Sequence, residues 1–204
     1  NTPDYTFSST ETGAITHGGS CSSSATSATT YDWCSPSCRI TITLNVLSDG
    51  TYSNCTIIVT DSAGNASNTL TITSFTVDST APTVSSIYPL DNQSSVSISD
   101  NISVTFSEAM DNTSVTVNTA NTNCSGTFQL SADNFTSCVQ MSAPPTDNNS
   151  IKTFTLDPSD NLTHATTYKI RVTTGVKDTA GNTLSSQYET SSGFSTLFIN
   201  QFGT

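Results

Sequence analysis

The sequence predicts an all-β chain built as two small β-sandwiches in tandem, and three observations predict it. Apolar residues alternate with polar ones at a period of two. Gly, Asn, Asp and Pro break that alternation about every 8–12 residues. One arrangement of residues also occurs twice, in the same order.

The alternation comes first. Ile40, Ile42 and Leu44 alternate with Thr41 and Thr43, Ile102, Val104 and Phe106 with Ser103 and Thr105, and Tyr168, Ile170 and Val172 with Lys169 and Arg171. Successive side chains of a strand point to opposite faces, so each run has one face for a core and one for water. No window shows a convincing helical period. Composition agrees: apolar residues are 33%, charged residues 10%, and Ser and Thr together exceed a third of the 204 residues. Thr suits a pleated surface with one wet face, because its branched Cβ packs while its hydroxyl stays hydrated.

Lys and Arg number 5 against 16 Asp and Glu, a formal charge of −11. That excludes a nucleic-acid partner, which needs a basic surface to displace counterions, and disfavours an anionic membrane surface. Divalent cations are the natural partners of such a chain. Six Cys predict disulfides and an oxidising compartment. No signal peptide, transmembrane run or lipidation motif is present, so membrane insertion is not expected. The opening Asn1-Thr2-Pro3 reads as that of a mature or excised piece.

The repeated plan sets the domains. Leu47-Ser48-Asp49-Gly50-Thr51-Tyr52 leads into Cys55, Ile57 and Val59 and then the turn Asp61-Ser62-Ala63-Gly64-Asn65. Leu162 to Tyr168 leads likewise into Ile170 and Val172 and then Asp178-Thr179-Ala180-Gly181-Asn182. A second match joins residues 1–8, with Tyr5 and Phe7, to 101–107, with Val104 and Phe106. Modules are therefore expected at 1–80 and 81–204, the second with a C-terminal tail. The linker is Val77-Asp78-Ser79-Thr80-Ala81-Pro82, whose proline stops one ladder before the next begins. Each Leu-to-Tyr element has the form of a tyrosine corner at the start of a sixth strand, its phenol bonding back to nearby backbone. In each Asp-x-Ala-Gly-Asn turn, Gly supplies the positive φ of a tight hairpin. The expected sandwiches are thus immunoglobulin-like.

Residues ~82–198 resemble the S-layer-protein type of bacterial Ig-like domain. The matching stretches are Pro82-Thr83-Val84, Val104-Thr105-Phe106-Ser107-Glu108-Ala109-Met110-Asp111, Thr167-Tyr168 and Lys177-Asp178-Thr179-Ala180-Gly181-Asn182. Residues 1–80 resemble the bacterial Ig-like repeats of large adhesins, through Tyr5-Thr6-Phe7-Ser8-Ser9-Thr10, Gly18-Gly19-Ser20-Cys21, Asp49-Gly50-Thr51-Tyr52 and Val77-Asp78-Ser79-Thr80-Ala81-Pro82. The resemblance implies a secreted or bacterial cell-surface protein whose partners are neighbouring Ig-like modules or copies of itself. It specifies fold well and function poorly.

One departure stands out. With residue 1 aligned to 101, the first module has no counterpart of 82–90, the opening strand of the second. Its sandwich then lacks an edge, and a bare edge beside an apolar groove invites pairing. The strand was either trimmed with upstream sequence or is donated by another molecule. Leu197-Phe198-Ile199-Asn200-Gln201-Phe202 is apolar enough to be a donor, or is simply the last strand running on.

For the cysteines the expected pairs are Cys21–Cys55, stapling the halves of module one, Cys34–Cys38, closing a local ring, and Cys124–Cys138, tying a hairpin in module two. Their spacings fit no common structural zinc pattern. Loops after the second strand and between the last two strands share one end of an Ig sandwich. In module two that end would gather Glu108, Asp111 and Asp178 beside linker Asp78. Crowded carboxylates repel, and a hard cation with six to eight oxygen ligands would turn that repulsion into cohesion. In the adhesin repeats that the first module resembles, calcium at the joints is a known use of such aspartates. Module one would place Asp61 and Asp4 at its own upstream end. Asp and Asn also shape turns unaided by metal, so both accounts stay open.

Catalysis is not expected. His17 and His164 fall in different modules, with no nucleophile elbow or histidine pair beside either. His17 shares strand parity with Ile15 and is expected to be packed, and His164 in its turn to be solvated. An isopeptide cross-link needs a buried Lys; module one has none, and Lys169 points away from its core. The loop with Tyr31 and Trp33, held by Cys34 and Cys38, would make a binding tip for sugar or protein, or else cover its own core. Three readings of function follow: a rigid tandem-Ig stalk of an adhesin, a subunit of a self-assembling extracellular filament or surface layer completed by strand donation, and a carbohydrate- or protein-binding module using the Trp33 loop.

Overall fold

A computed structural model describes residues 2–28 and 39–198. The chain divides into two compact units, Asn1–Ser79 and Thr80–Thr204. The expected Cys34–Cys38 ring, the Tyr31 and Trp33 loop and the end of the tail lie outside the described residues.

In unit one the alternating runs become β1 (Asp4–Ser8), β2 (Gly13–Gly18), β3 (Ser27–Ala28), β4 (Arg39–Thr43), β5 (Gly50–Tyr52), β6 (Thr56–Thr60), β7 (Leu70–Thr71) and β8 (Phe75–Val77). β1 lies antiparallel to β4, Tyr5 facing Ile42 and Phe7 facing Ile40. The second sheet runs β3-β2-β6-β7, and β5 pairs with β8. Phe7, Ile15, Ile42, Leu44, Ile57 and Val59 meet in one buried cluster, so the apolar faces of β1 and β4 close on those of β2 and β6. The sixth strand is in two pieces, β5 and β6, broken at 53–55.

The Cys21–Cys55 disulfide forms. Gly18 of β2 pairs with Thr56 of β6, so the bridge extends a ladder between neighbours in one sheet. Beyond Cys21 the chain passes to the other sheet, where Ser23 bridges Leu44 at the end of β4 and the Ser22 carbonyl accepts the Asn45 N–H, so the bridge ties Cys55 to the crossing between the layers.

Unit two contains β9 (Val84–Tyr88), β10 (Ile102–Phe106), a 3-10 turn (Asn112–Ser114), β11 (Phe128–Ser131), β12 (Thr146–Asn148), β13 (Thr153–Leu156), β14 (Thr167–Val172), β15 (Tyr188–Glu189) and β16 (Phe194–Ser195). One sheet is β12-β13-β10-β9; in the other, β14 pairs with β11, β15 and β16. Phe106 and Phe154 from the first meet Phe128, Ile170 and Phe194 from the second in one core. Cys124–Cys138 closes around β11, joining the approach to that strand to its exit.

Both tyrosine corners are present. Tyr52 Oη donates to the Ser48 carbonyl at 2.9 Å, and Tyr168 Oη accepts the Thr163 N–H at 3.0 Å. Position in the chain explains them: four or five residues back, the backbone loops under the ring and offers a polar partner to a phenol whose face is buried.

The units differ at one edge. In unit two β9 runs antiparallel along β10, with Ile87 opposite Val104 and Ser86 opposite Thr105. Residues 92–97 then cross to the other layer, where Val96 N–H bonds the Ser195 carbonyl at 3.1 Å and Leu197 N–H the Val96 carbonyl at 2.9 Å. Asp91 fastens that crossing by accepting from the Ser191, Ser192 and Gly193 N–H groups. In unit one, among the described residues, β1 pairs with β4 alone. Among the described residues no strand takes the place beside β1 that β9 takes beside β10.

Candidate functional site

The two Asp-x-Ala-Gly-Asn turns are built alike, atom for atom. Asp61 Oδ1 accepts the N–H groups of Ala63 and Asn65 at 2.9 and 2.8 Å, and its Oδ2 accepts Asn65 Nδ2 at 2.8 Å. Asp178 does the same with Ala180, Asn182 and Asn182 Nδ2, each at 2.8 Å. Gly64 and Gly181 take φ of +90° and +93°, where a side chain would be strained. Both aspartates thus shape their turns by local hydrogen bonds. The amide of Asn65 and the neighbouring N–H groups hold the Asp61 carboxyl below its usual range.

Their surroundings differ. Asp178 is 1% exposed, and one of its oxygens lies within 4.8 Å of one from half-buried Glu108. The loop carrying Glu108 is laced to this turn: Met110 bridges to Asp178, Thr179 N–H bonds the Ala109 carbonyl at 3.2 Å, and Asp111 N–H bonds the Lys177 carbonyl at 2.9 Å. Asp111 itself turns elsewhere. Its Oδ1 accepts the N–H and Oγ1–H of Thr113 at 3.0 and 2.7 Å, capping the 3-10 turn, and the Thr113 hydroxyl holds its carboxyl below the usual range. Asp78 is half-buried immediately after β8.

In unit one the acid that shares a cavity with Asp61 is Glu11, which sequence reasoning missed. A space of about 270 Å³ is lined by Glu11, Asp61, Asn65 and Ser67. The signal was available: Glu11 follows β1 as Glu108 follows β10. Asp4, the acid expected there, heads β1 at the opposite end and accepts Thr43 Oγ1 at 2.7 Å. A strand of five residues separates the two positions.

The histidines are engaged. His17 is half-buried with Nε2 at 2.9 Å from Ser23 Oγ, a hydroxyl that also accepts the Ala25 N–H in a local turn. His164 is half-buried too, its Nδ1 at 3.1 Å from the Leu197 carbonyl, and is less solvated than its turn position predicts. Lys169 and Arg171 point away from the core and both pair with Glu189, Arg171 also lying over the Phe135 ring at 3.5 Å.

Beside β1 lie two further cavities. One of about 450 Å³ is bounded by Pro3, Tyr5 and Leu44 on one side and by Phe75 and Val77 on the other. The second, about 290 Å³, lies between Phe7 and Thr10 and Ile57, Val59 and Leu70.

Residues 78–196 match the model of the bacterial Ig-like domain. The chain belongs to that family. As the family draws it, this bacterial Ig-like domain begins at Asp78 and holds Glu108, Asp111 and Asp178. Solved structures of S-layer proteins are similar to it: rSbsC, at 23% identity over 58% of this chain and 14% of that one, TM-score 0.39, and the N-terminal part of SbsC, at 21% identity over 58% and 24%, TM-score 0.40. This chain therefore spans less than a quarter of either. Among curated proteins none is significantly similar.

Proposed function

We propose that the chain is a non-enzymatic structural segment of an extracellular bacterial surface protein, a rigid tandem-Ig stalk of an adhesin. The observation that carries this reading is the pairing of two sandwich units, each with its own core and its own disulfide, in series along one chain. Its described histidines are occupied by a local hydroxyl and a backbone carbonyl, and disulfides belong to an oxidising compartment. Among the described residues no helix is long and apolar enough to cross a membrane.

Calcium is the cofactor this reading assigns. Glu108 and Asp178, whose oxygens approach within 4.8 Å, would take the ion, and Asp111 would remain with its 3-10 turn. A divalent ion there offsets carboxylate repulsion. Calorimetry in calcium and in EDTA tests this. Calcium should raise the melting temperature of unit two; identical curves in both would remove the ion from the account.

The open edge of β1 favours a second reading, a subunit of a self-assembling filament or surface layer in which copies complete one another by strand donation.

A further inference from the structure

Among the described residues, unit one leaves open the same two edges that a single stretch of chain closes in unit two. There, β9 runs antiparallel along β10, and 92–97 continues beside 193–197, Val96 bridging Thr196 in parallel. In unit one, Leu44 N–H bonds the Pro3 carbonyl at 2.8 Å. Bonding direction alternates along an antiparallel pair, so Tyr5 and Phe7 turn their backbone groups to β4, while Asp4, Thr6 and Ser8 turn theirs to the open side. Unit two shows the filled arrangement: Ser107, the counterpart of Ser8, donates its N–H to the Thr83 carbonyl at 2.9 Å. Tyr5 is only half-buried where its counterpart Val104 is 0% exposed. The two cavities beside β1 lie at the levels of Pro3 to Tyr5 and of Phe7 to Thr10.

We propose that the segment 198–203 of a second copy fills this edge, antiparallel to β1, with Phe198 opposite Phe7 and Phe202 opposite Pro3. This rests on the strand-donation reading above, commits to the tail as donor, and adds its register. Leu197 is anchored in its own unit, its N–H on Val96 and its carbonyl taking the Ala165 N–H at 3.1 Å. Phe198, the next residue, is 75% exposed, and the donor segment is counted from there. Residues four apart share a strand face about 13 Å apart, so Phe198 and Phe202 reach the two cavities together. Asn200 then falls opposite Tyr5, whose phenol can bond its amide. Six residues extend about 20 Å, enough to cover β1. The segment has no carboxylate, so it meets an edge flanked by Asp4 and Glu11, on a chain of charge −11, with no like-charge repulsion.

Sedimentation over a concentration series tests this with three proteins: the intact chain, the chain ending at Leu197, and Tyr5→Arg. Hydrogen exchange at the Asp4, Thr6 and Ser8 amides accompanies it. The intact chain should assemble, with those amides slowed at least about 100-fold. Each variant should sediment as a monomer. Mixed, they should recover dimers, because one keeps the edge and the other keeps the tail; recovery also shows that both are folded. Assembly that survives the truncation but not Tyr5→Arg overturns the tail as donor and leaves strand donation standing. Assembly that survives both changes, or an intact chain that stays monomeric with freely exchanging amides, overturns both. Amides that the tail protects within a monomer mean insertion in the same chain, and overturn the second copy.

Discussion

The turns at 61–65 and 178–182 have the same hydrogen bonds to within 0.1 Å, yet one is wet and the other sits under a loop. Asp61 bonds its own turn and faces an open cavity with Glu11; Asp178 bonds its own turn and is covered by 107–111. The motif sets the geometry in both. What the bonds are worth is set by what lies on top of them, because an unsatisfied N–H costs little in water and much in a buried site.

The largest effect that can separate the units is loss of their disulfides. Loop-closure entropy grows with the span closed, so Cys21→Ala with Cys55→Ala should cost unit one about 4 kcal/mol, and Cys124→Ala with Cys138→Ala should cost unit two about 3 kcal/mol, for separations of 34 and 14. Calorimetry resolving two transitions checks this. Equal losses would show that strain or residual structure outweighs loop length.

Next come the turns themselves. Asp178→Ala removes a buried carboxylate that two part-buried N–H groups and the Asn182 amide bond, and should cost about 2 kcal/mol in denaturant titration. Asp178→Asn keeps an oxygen for both N–H groups and should cost less. Asp61→Ala removes the same three bonds from an exposed turn and should lower stability least. A loss at Asp61 as large as that at Asp178 would break the comparison.

Acid gives the smallest and most graded difference. Ser191 and nearby N–H groups hold Asp91 low, Thr113 holds Asp111 low, and Ser137 holds Asp133 at about 2. A carboxyl lowered on folding adds stability above its unfolded pKa near 3.8 and loses it as the pH falls through the folded value. Unit two has these three and unit one has Asp61, so between pH 4 and 2 the upper of two melting transitions should drift most if it belongs to unit two. Tryptic fragments sampled along the titration assign the transitions.

Local features were legible in the sequence and distant ones were not. Tyr52 and Tyr168 bond backbone four and five residues away, within the window a pattern can display. The positive φ at Gly64 and Gly181 follows from the turn alone. The missing opening strand was legible too, because the second module supplied the template for the first. Asp91 was silent, since its partners are about 100 residues later. The break between β5 and β6 carries no turn residue stronger than Ser53-Asn54. Whether Asp178 is covered depends on how 107–111 packs, which identity at 178–182 cannot express. Glu11 was overlooked in favour of Asp4, although its place after β1 matches that of Glu108 after β10.

The Cys21–Cys55 bridge has a consequence under load. If tension unravels unit one, the 34-residue span it encloses stays out of the line of pull, withholding about 115 Å of contour. A stretched chain would give a shorter step than the length of its first unit implies, so its anchored end would wander less far before the slack is taken up.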